Sequence, residues 1–229
     1  MRYIMSETQT GRKHIRRNQS NQDAVFSMED GKRCIIALAD GAGSCSGAQL
    51  GAEEIVKRLS VWICSQFDDL KQLSLQEITK KLTGKIKEIL RELSEKHRMN
   101  RLDFGSTYLF VCMDGVEYLA GHIGDGAILG LLENEYWSVM SFPKNGTTRR
   151  ETPLTTSPYL NEHIRLQRGK IQQYQAFLLM TDGMTKAAFK SGYIPRYPLS
   201  YPELMQKSIR TQPHDDASYI YCERGNRHG

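Results

Sequence analysis

The sequence predicts an α+β domain in which helices pack on antiparallel β-sheets. Three observations indicate this class: many short strand-like segments, two long amphipathic helical patterns, and short turns between neighbouring strand patterns. Neighbouring strand patterns are separated by about two to six residues, whereas parallel pairing requires crossovers of roughly a dozen or more. Hairpins therefore dominate, and the helices form layers on the sheets.

The strand-like segments are rich in apolar, β-branched and aromatic residues and are bounded by turn residues. They cover residues 24–28, 34–39, 106–113, 116–122, 127–132, 136–141, 164–168, 175–180 and 217–222. Because short turns join several of them, we predict a series of hairpins with connections between sheets.

Two helical patterns follow one another in the sequence. Apolar residues recur every three or four positions between residues 46 and 67, and again between residues 74 and 99. This spacing places the apolar side chains on one face of each helix. Ser74 and Glu77 fit a capping box at the start of the second helix. We interpret the polar opposite faces as solvated surface.

Size and composition favour one domain. The chain has 229 residues, of which 39% are hydrophobic, which is enough for one large core. The sequence lacks an apolar run of about 18 residues, and its start lacks the apolar centre of a secretory signal. We therefore expect a cytoplasmic protein, monomeric and without a membrane partner.

Cysteine usage and charge exclude several classes. The five cysteines are scattered and include no CxxC pair, so they predict neither a disulfide framework nor a zinc site. The net charge of +5 is ordinary for a soluble protein, and we expect no nucleic-acid partner.

An irregular segment spans residues 142–163. It contains several prolines and a threonine-rich centre. Long segments without regular structure inside a compact domain are usually functional or disordered. We predict a surface flap at this place.

Five Asp-Gly pairs occur in the chain, and this dipeptide is a frequent hairpin turn. The pairs at Asp30 and Asp114 lie between strand patterns that resume almost at once, so we interpret both as turns. Asp40 follows a buried strand pattern and precedes a glycine-rich segment, and Asp182 opens a short helical pattern. A turn explains these two poorly. Asp125 lies between two strand patterns and fits either interpretation.

Further acids stand at predicted strand edges. In an antiparallel sheet, the end of one strand and the start of its neighbour lie at the same edge, so we expect five carboxylates to converge. They are Asp23, Asp40, Asp125, Asp182 and Asp215. Clustered carboxylates are costly to bury unless a cation neutralises them. Oxygen ligands without a nearby His or Cys cluster favour Mg²⁺ or Mn²⁺.

Six motifs extend this pattern over nearly the whole chain. They are NQDAVF (21–26), ALADGAGS (37–44), FGSTYLFV (104–111), GHIGDGAIL (121–129), LLMTDGMTKA (178–187) and DDASYIY (215–221). In this order they resemble the metal-dependent serine/threonine protein phosphatases of type 2C. The resemblance implies a four-layer α-β-β-α sandwich, with two antiparallel sheets between helix pairs. It also implies phosphorylated protein substrates and two Mg²⁺ or Mn²⁺ ions, with a weaker third site.

The resemblance also assigns roles to residues of this chain. It implies that Asp40 bridges two metal ions, that the Gly41 carbonyl binds one of them, and that Asp182 and Asp215 complete the other. Two cations would lower the pKa of a shared water molecule, which then attacks phosphorus directly. Such a mechanism requires no covalent enzyme intermediate.

Other implied roles concern water and the third ion. Asp23 would orient the attacking water, and Asp125 with Asp182 resembles the weaker third metal site. The motif His that the family uses as a proton donor is replaced by Ala42. The sequence therefore names no general acid. His122, a lone histidine on a strand, is more typical of a structural group than of a catalyst.

The chain departs from the family at three further positions. Gln22 stands where a glutamate is frequent, and Asn18 stands where the phosphate-binding arginine is common. We select Arg17 for that arginine's role. Asp216 stands where the family usually has Asn.

These departures leave two alternatives open. The first is a degenerate phosphatase-like domain that binds phosphoproteins or partner proteins without turnover. The second is a metal-stabilised structural domain. Retention of all five acids favours the enzyme.

Overall fold

The structure, a computed structural model, describes residues 2–141 and 152–225. Within these residues two five-stranded antiparallel sheets form, one with strand order β1-β10-β9-β6-β7 and the other with order β2-β3-β4-β5-β8. The strands are β1 (Tyr3–Gln9), β2 (Asp23–Glu29), β3 (Cys34–Asp40), β4 (Tyr108–Met113), β5 (Glu117–Ile123), β6 (Ala127–Leu132), β7 (Trp137–Ser141), β8 (Arg165–Lys170), β9 (Tyr174–Met180) and β10 (Ala217–Glu223).

Helices lie on the outer face of each sheet. They are α1 (Arg12–Arg16), α2 (Ala48–Ser65), α3 (Phe67–Leu70), α4 (Leu75–His97), α5 (Leu160–His163), α6 (Asp182–Ala188) and α7 (Tyr201–Ile209). Short 3₁₀ helices cover Arg101–Phe104, Ile171–Gln173 and Ser191–Tyr193. None of the described helices is both long and apolar enough to cross a membrane.

Three apolar cores separate the layers of helices and sheets. Alternate residues of β3 show this, since Ile35 belongs to the core under α2 and α4 whereas Ile36 belongs to the core between the sheets. A third core, which includes Met184 and Leu204, lies between the first sheet and α6 and α7. Strands buried on both faces read as continuous apolar runs. The predicted α+β class and four-layer α-β-β-α sandwich are thus confirmed.

The predicted strand segments agree with the observed strands within about two residues, the usual uncertainty of element ends. The second helical pattern is observed as α4. Its capping box is present, with the Glu77 N–H donating to Ser74 Oγ at 3.3 Å and the Ser74 N–H donating to Glu77 Oε2 at 2.8 Å. These bonds satisfy donors that the first helical turn leaves free.

The first helical pattern, predicted over about residues 46–67, is observed as α2, within two residues at each end. A separate helical turn, α3, follows from Phe67 and extends beyond the predicted pattern. It brings Phe67 and Leu70 into the core, where both are fully buried.

The predicted flap over residues 142–163 is only partly within the described residues, since 142–151 lie outside them. In the described part Thr155 and Leu160 are buried. The Thr155 N–H donates to the Ser106 carbonyl at 2.8 Å, which attaches this part to the start of β4. The flap and the single-domain organisation both stay predictions.

Candidate active site

The first two acids of the cluster face each other across one strand pair. In the register of β2 and β3, Asp23 is the direct partner of Asp40. The Asp40 N–H donates to Thr107 Oγ1 at 2.8 Å, and the Thr107 N–H donates to the Asp40 carbonyl at 2.8 Å. These bonds hold the end of β3 against the start of β4.

Gly41 follows at a place where backbone segments pass very close together. A Cβ atom here would lie 2.7 Å from the Ala48 carbonyl oxygen and 2.9 Å from that of Gln22. The Gly41 N–H donates to the same Gln22 carbonyl at 3.0 Å. Only glycine fits this approach. The glycine after Asp40 is therefore explained by close packing of the backbone and not by a hairpin turn.

Asp182 and Asp215 belong to the other sheet. Met180, at the end of β9, pairs with Tyr219 of β10, and the Thr181 N–H donates to the Ser218 carbonyl at 3.0 Å. A Cβ atom on Gly183 would lie 2.0 Å from the Asp216 carbonyl oxygen. The start of α6 therefore packs directly on the segment that carries Asp215.

Asp125 joins this edge from the loop between β5 and β6. Ala127 pairs with Met180, and a Cβ atom on Gly126 would lie 2.5 Å from the Met180 carbonyl oxygen, so the loop that carries Asp125 packs on the end of β9 just before Asp182. Gly124, directly before Asp125, has a φ of 118°, a conformation that favours glycine. The Thr152 hydroxyl donates to Asp125 Oδ2 at 2.7 Å.

One hydrogen bond connects the two sheets at the acids. The Thr181 hydroxyl donates to Asp23 Oδ2 at 3.2 Å, which links the start of β2 to the end of β9. Asp23 is buried, and its other oxygen, Oδ1, has no hydrogen-bond partner among the described residues. An unpaired buried carboxylate oxygen is unfavourable unless a ligand or water satisfies it.

Electrostatics show that the five carboxylates lie close enough to repel one another. Burial, and then the neighbouring charges of Asp216 and Asp182, raise the pKa of Asp23 to about 7. Burial also raises the pKa of Asp40 well above its usual value. Four neighbouring carboxylates raise it further, namely Asp23, Asp182, Asp125 and Asp215. These mutual effects agree with the convergence expected at the strand edges, and the roles of the individual acids stay predictions.

The donor set fits hard divalent cations. Within the part of the chain that the structure describes, no three His, Cys, Asp or Glu side chains stand in ready-made metal-binding geometry. The unpartnered Asp23 oxygen and the raised pKa values of Asp23 and Asp40 nevertheless mark a site that lacks positive charge. Carboxylate and carbonyl oxygens are the ligands that Mg²⁺ and Mn²⁺ prefer.

Asp216 has a structural role, because its carboxylate contacts three neighbouring residues. Its Oδ1 accepts from the Gly11 N–H at 2.8 Å, and its Oδ2 accepts from the Gln22 N–H at 2.7 Å and lies 2.8 Å from His14 Nδ1. Asp216 and His14 are both buried. This carboxylate thus joins the start of α1 and the start of β2 to β10. The sequence identified the residue but not this role.

Basic side chains reach the cluster from two helices. Lys13 Nζ lies 3.5 Å from Asp215 Oδ2, and α1 is fixed there because the Lys13 N–H donates to the His214 carbonyl at 3.0 Å. Lys186 Nζ forms an ion pair with Asp182 Oδ2 one helical turn away. Arg17, selected from the sequence, is exposed just after α1 and has no side-chain partner among the described residues. The sequence carries no signal for the contact of Lys13, whereas the spacing of four positions between Asp182 and Lys186 could have indicated their ion pair.

His122 is a structural group, as its position on a strand suggested. It is buried, and its Nδ1 lies 2.7 Å from Ser141 Oγ. Burial, and then the positive charge of Arg165, lower the pKa of His122 to about 3. The ring is therefore neutral at physiological pH and unsuited to proton donation.

Comparison with known proteins now identifies the class. A family model described as protein phosphatase 2C matches residues 10–214. The match covers most of the chain, and the chain belongs to this family. No curated protein matches it at a significant level.

Solved structures of phosphatases share the fold. The serine/threonine phosphatase Stp1 from Staphylococcus aureus is 16% identical with a TM-score of 0.65, covering 99% of this chain and 96% of that one. The S. agalactiae serine/threonine phosphatase is 16% identical with a TM-score of 0.64, covering 98% and 100%. The catalytic domain of the phosphatase PstP, solved with two manganese ions, is 15% identical with a TM-score of 0.62, covering 97% of each chain.

Proposed function

We propose that the protein is a metal-dependent protein phosphatase that hydrolyses phosphoserine and phosphothreonine with two Mg²⁺ or Mn²⁺ ions. The convergence of five carboxylates from both sheets at one edge of the sandwich carries this proposal. Family membership supports the phosphatase class. The two manganese ions of the PstP structure support the choice of metal.

Four residues of this chain would hold the ions. Asp40, at the end of β3, would hold the ions together with the carbonyl of the adjacent Gly41. Asp182 and Asp215 would complete the set from the other sheet. When bound, the ions would lower the pKa of a water molecule and offset negative charge on phosphate.

The remaining residues act on the water and on the phosphate. Asp23 Oδ1 is buried without a partner and can accept a hydrogen bond from the attacking water. Lys13 stands beside Asp215 and can bind phosphate oxygens as a cation. The Thr181 hydroxyl holds the other carboxylate oxygen of Asp23, Oδ2.

The test is hydrolysis of a phosphothreonine peptide by the full chain in Mn²⁺. We expect Asp40→Asn and Asp182→Asn each to lower kcat/KM by at least about 100-fold, as expected for loss of an electrostatic catalytic group. Asp30→Asn is the matched control, since Asp30 is exposed in the turn between β2 and β3, at the opposite end of this strand pair from Asp23 and Asp40. Circular dichroism verifies that each variant folds.

The degenerate binding domain is the competing function, and the same preparation distinguishes it. Gln22, Asn18 and Ala42 motivated this alternative. Absence of phosphate release in excess Mn²⁺ from both phosphopeptides and an aryl phosphate would exclude the enzyme. Retained phosphopeptide binding, measured by calorimetry, would then support the binding function.

A further inference from the structure

We propose that Lys186 supplies the positive charge at the Asp125–Asp182 end of the acid cluster, so that the wild-type chain binds two divalent ions and excludes a third one there. The inference rests on the proposed function, in which the two ions are held by Asp40, Gly41, Asp182 and Asp215. The family resemblance implied a weaker third metal site, and for this chain we expect that no third ion binds there.

The geometry of α6 places the ammonium group on the acid. Asp182 is the first residue of α6 and Lys186 follows four positions later, so both side chains lie on the same helix face. Lys186 Nζ donates to Asp182 Oδ2 in a direct ion pair. The Lys186 side chain is 71% exposed, whereas that of Asp182 is 22% exposed. The lysine therefore reaches the half-buried acid from the solvent side.

Asp125 acts on the same acid from a neighbouring loop. Ala127 pairs with Met180, and a Cβ atom on Gly126 would lie 2.5 Å from the Met180 carbonyl oxygen, so this loop packs on the end of β9 just before Asp182. The Thr152 hydroxyl holds Asp125 Oδ2 at 2.7 Å. Asp125 and Asp182 repel each other as like charges, and the positive charge of Lys186 acts on both.

The charge state of Lys186 agrees with this role. Burial opposes its charge, but the hydrogen bond to Asp182 and the negative fields of Asp182, Asp125 and Asp215 raise the pKa of Lys186 overall. An ordinary surface ion pair on a helix contacts one partner and contributes little. Here the ammonium interacts with three members of the cluster. A divalent cation at the Asp125–Asp182 pair would meet direct repulsion from it.

The experiment counts Mn²⁺ ions on the purified full chain by calorimetry and by electron paramagnetic resonance of free Mn²⁺. We expect the wild type to bind two ions and Lys186→Gln to bind a third with at least about tenfold higher affinity than any third binding to the wild type. Lys186→Arg keeps the positive charge and should still bind two. Lys190→Gln removes an exposed lysine just beyond α6 and is the matched control.

A double variant locates the new ion. Adding Asp125→Asn to Lys186→Gln should abolish the third binding event and leave the first two. An unchanged ion count in Lys186→Gln would overturn the inference, and so would three ions of equal affinity in the wild type. Two ions in the wild type and three in the variant, without any phosphatase activity, would support the inference while excluding the proposed function. Absence of Mn²⁺ binding to the wild type would overturn both.

Discussion

At the scale of single residues, Lys13 offers a test of how the phosphate is bound. Its Nζ lies 3.5 Å from Asp215 Oδ2, so its positive charge stands at the rim of the acid cluster. We expect Lys13→Gln to raise KM for a phosphopeptide and the inhibition constant of inorganic phosphate by about 10- to 150-fold, because a charge-assisted phosphate contact contributes roughly 1.5–3 kcal/mol. Steady-state kinetics measure both constants.

Arg17→Gln is the matched control for Lys13→Gln, because both variants remove one positive charge from the same short region. Arg17 was selected from motif spacing, whereas the structure places it in solvent after α1 without a side-chain partner among the described residues. We expect its loss to change neither constant by more than about twofold, as for other exposed charges. A large effect of Arg17→Gln alone would restore the assignment made from the sequence.

The residue scale also shows what the sequence could predict about the site. Asp40 and Asp182 were found because each follows a buried strand pattern without a partner strand after it. The ion pair of Lys186 with Asp182 follows from a spacing of four positions within one helix, which the sequence does show. The contacts of Lys13 and Asp216 could not be found this way, because they depend on how α1 sits against the loop before β10.

At the scale of elements, two glycines in helices allow a direct comparison. A Cβ atom on Gly183 in α6 would lie 2.0 Å from the Asp216 carbonyl oxygen, whereas one on Gly84 in α4 meets nothing within 4 Å. We expect Gly183→Ala to destabilise the fold by about 1–3 kcal/mol, the usual range for overpacking. We expect Gly84→Ala to stabilise it by about 1 kcal/mol through helix propensity. Urea unfolding measures both changes.

The two substitutions add the same methyl group, so their opposite signs isolate the effect of packing. Gly183→Ala should also lower activity, because the shift separates Asp182 from Asp215. A stability gain in Gly183→Ala would show that α6 can move away from β10 freely. That result would contradict the close contact on which the site geometry depends.

The interior strands could be predicted from the sequence, whereas the edge strand β1 could not. Strands of the sheet interiors were found because they are apolar on both faces, as in β3 and β4. The edge strand β1 was missed because its residues alternate between exposed and half-buried positions and include few apolar side chains. The helix α7 is nine residues long, and it is stabilised by packing of Leu204 and Met205 on the first sheet rather than by a long amphipathic pattern.

At the scale of the whole molecule, the acid cluster couples stability to pH. The folded-state pKa values of Asp23 and Asp40 are raised by burial and by their neighbours. For such acids the folded state binds more protons than the unfolded state, so the stability that they contribute is lost as pH rises through the folded pKa. His122 has the opposite sign, since its folded pKa is lowered to about 3. The contribution of His122 to the free energy of unfolding therefore changes little above the ordinary histidine pKa of about 6.5.

Between about pH 7 and 8, the pH dependence of the free energy of unfolding therefore reports the acids, because the range lies above the histidine pKa and below the range in which free thiols titrate. In EDTA we expect the free energy of unfolding, measured with urea, to fall between these values, because Asp23, with a folded pKa of about 7, and Asp40, whose pKa is also raised, release protons on unfolding in this range. Saturating Mn²⁺ should remove this decrease, because cations that bind only the folded state offset the repulsion among its carboxylates. A flat profile in EDTA would contradict the clustering of the five acids. A decrease that persists in Mn²⁺ would show instead that the ions bind elsewhere on the molecule.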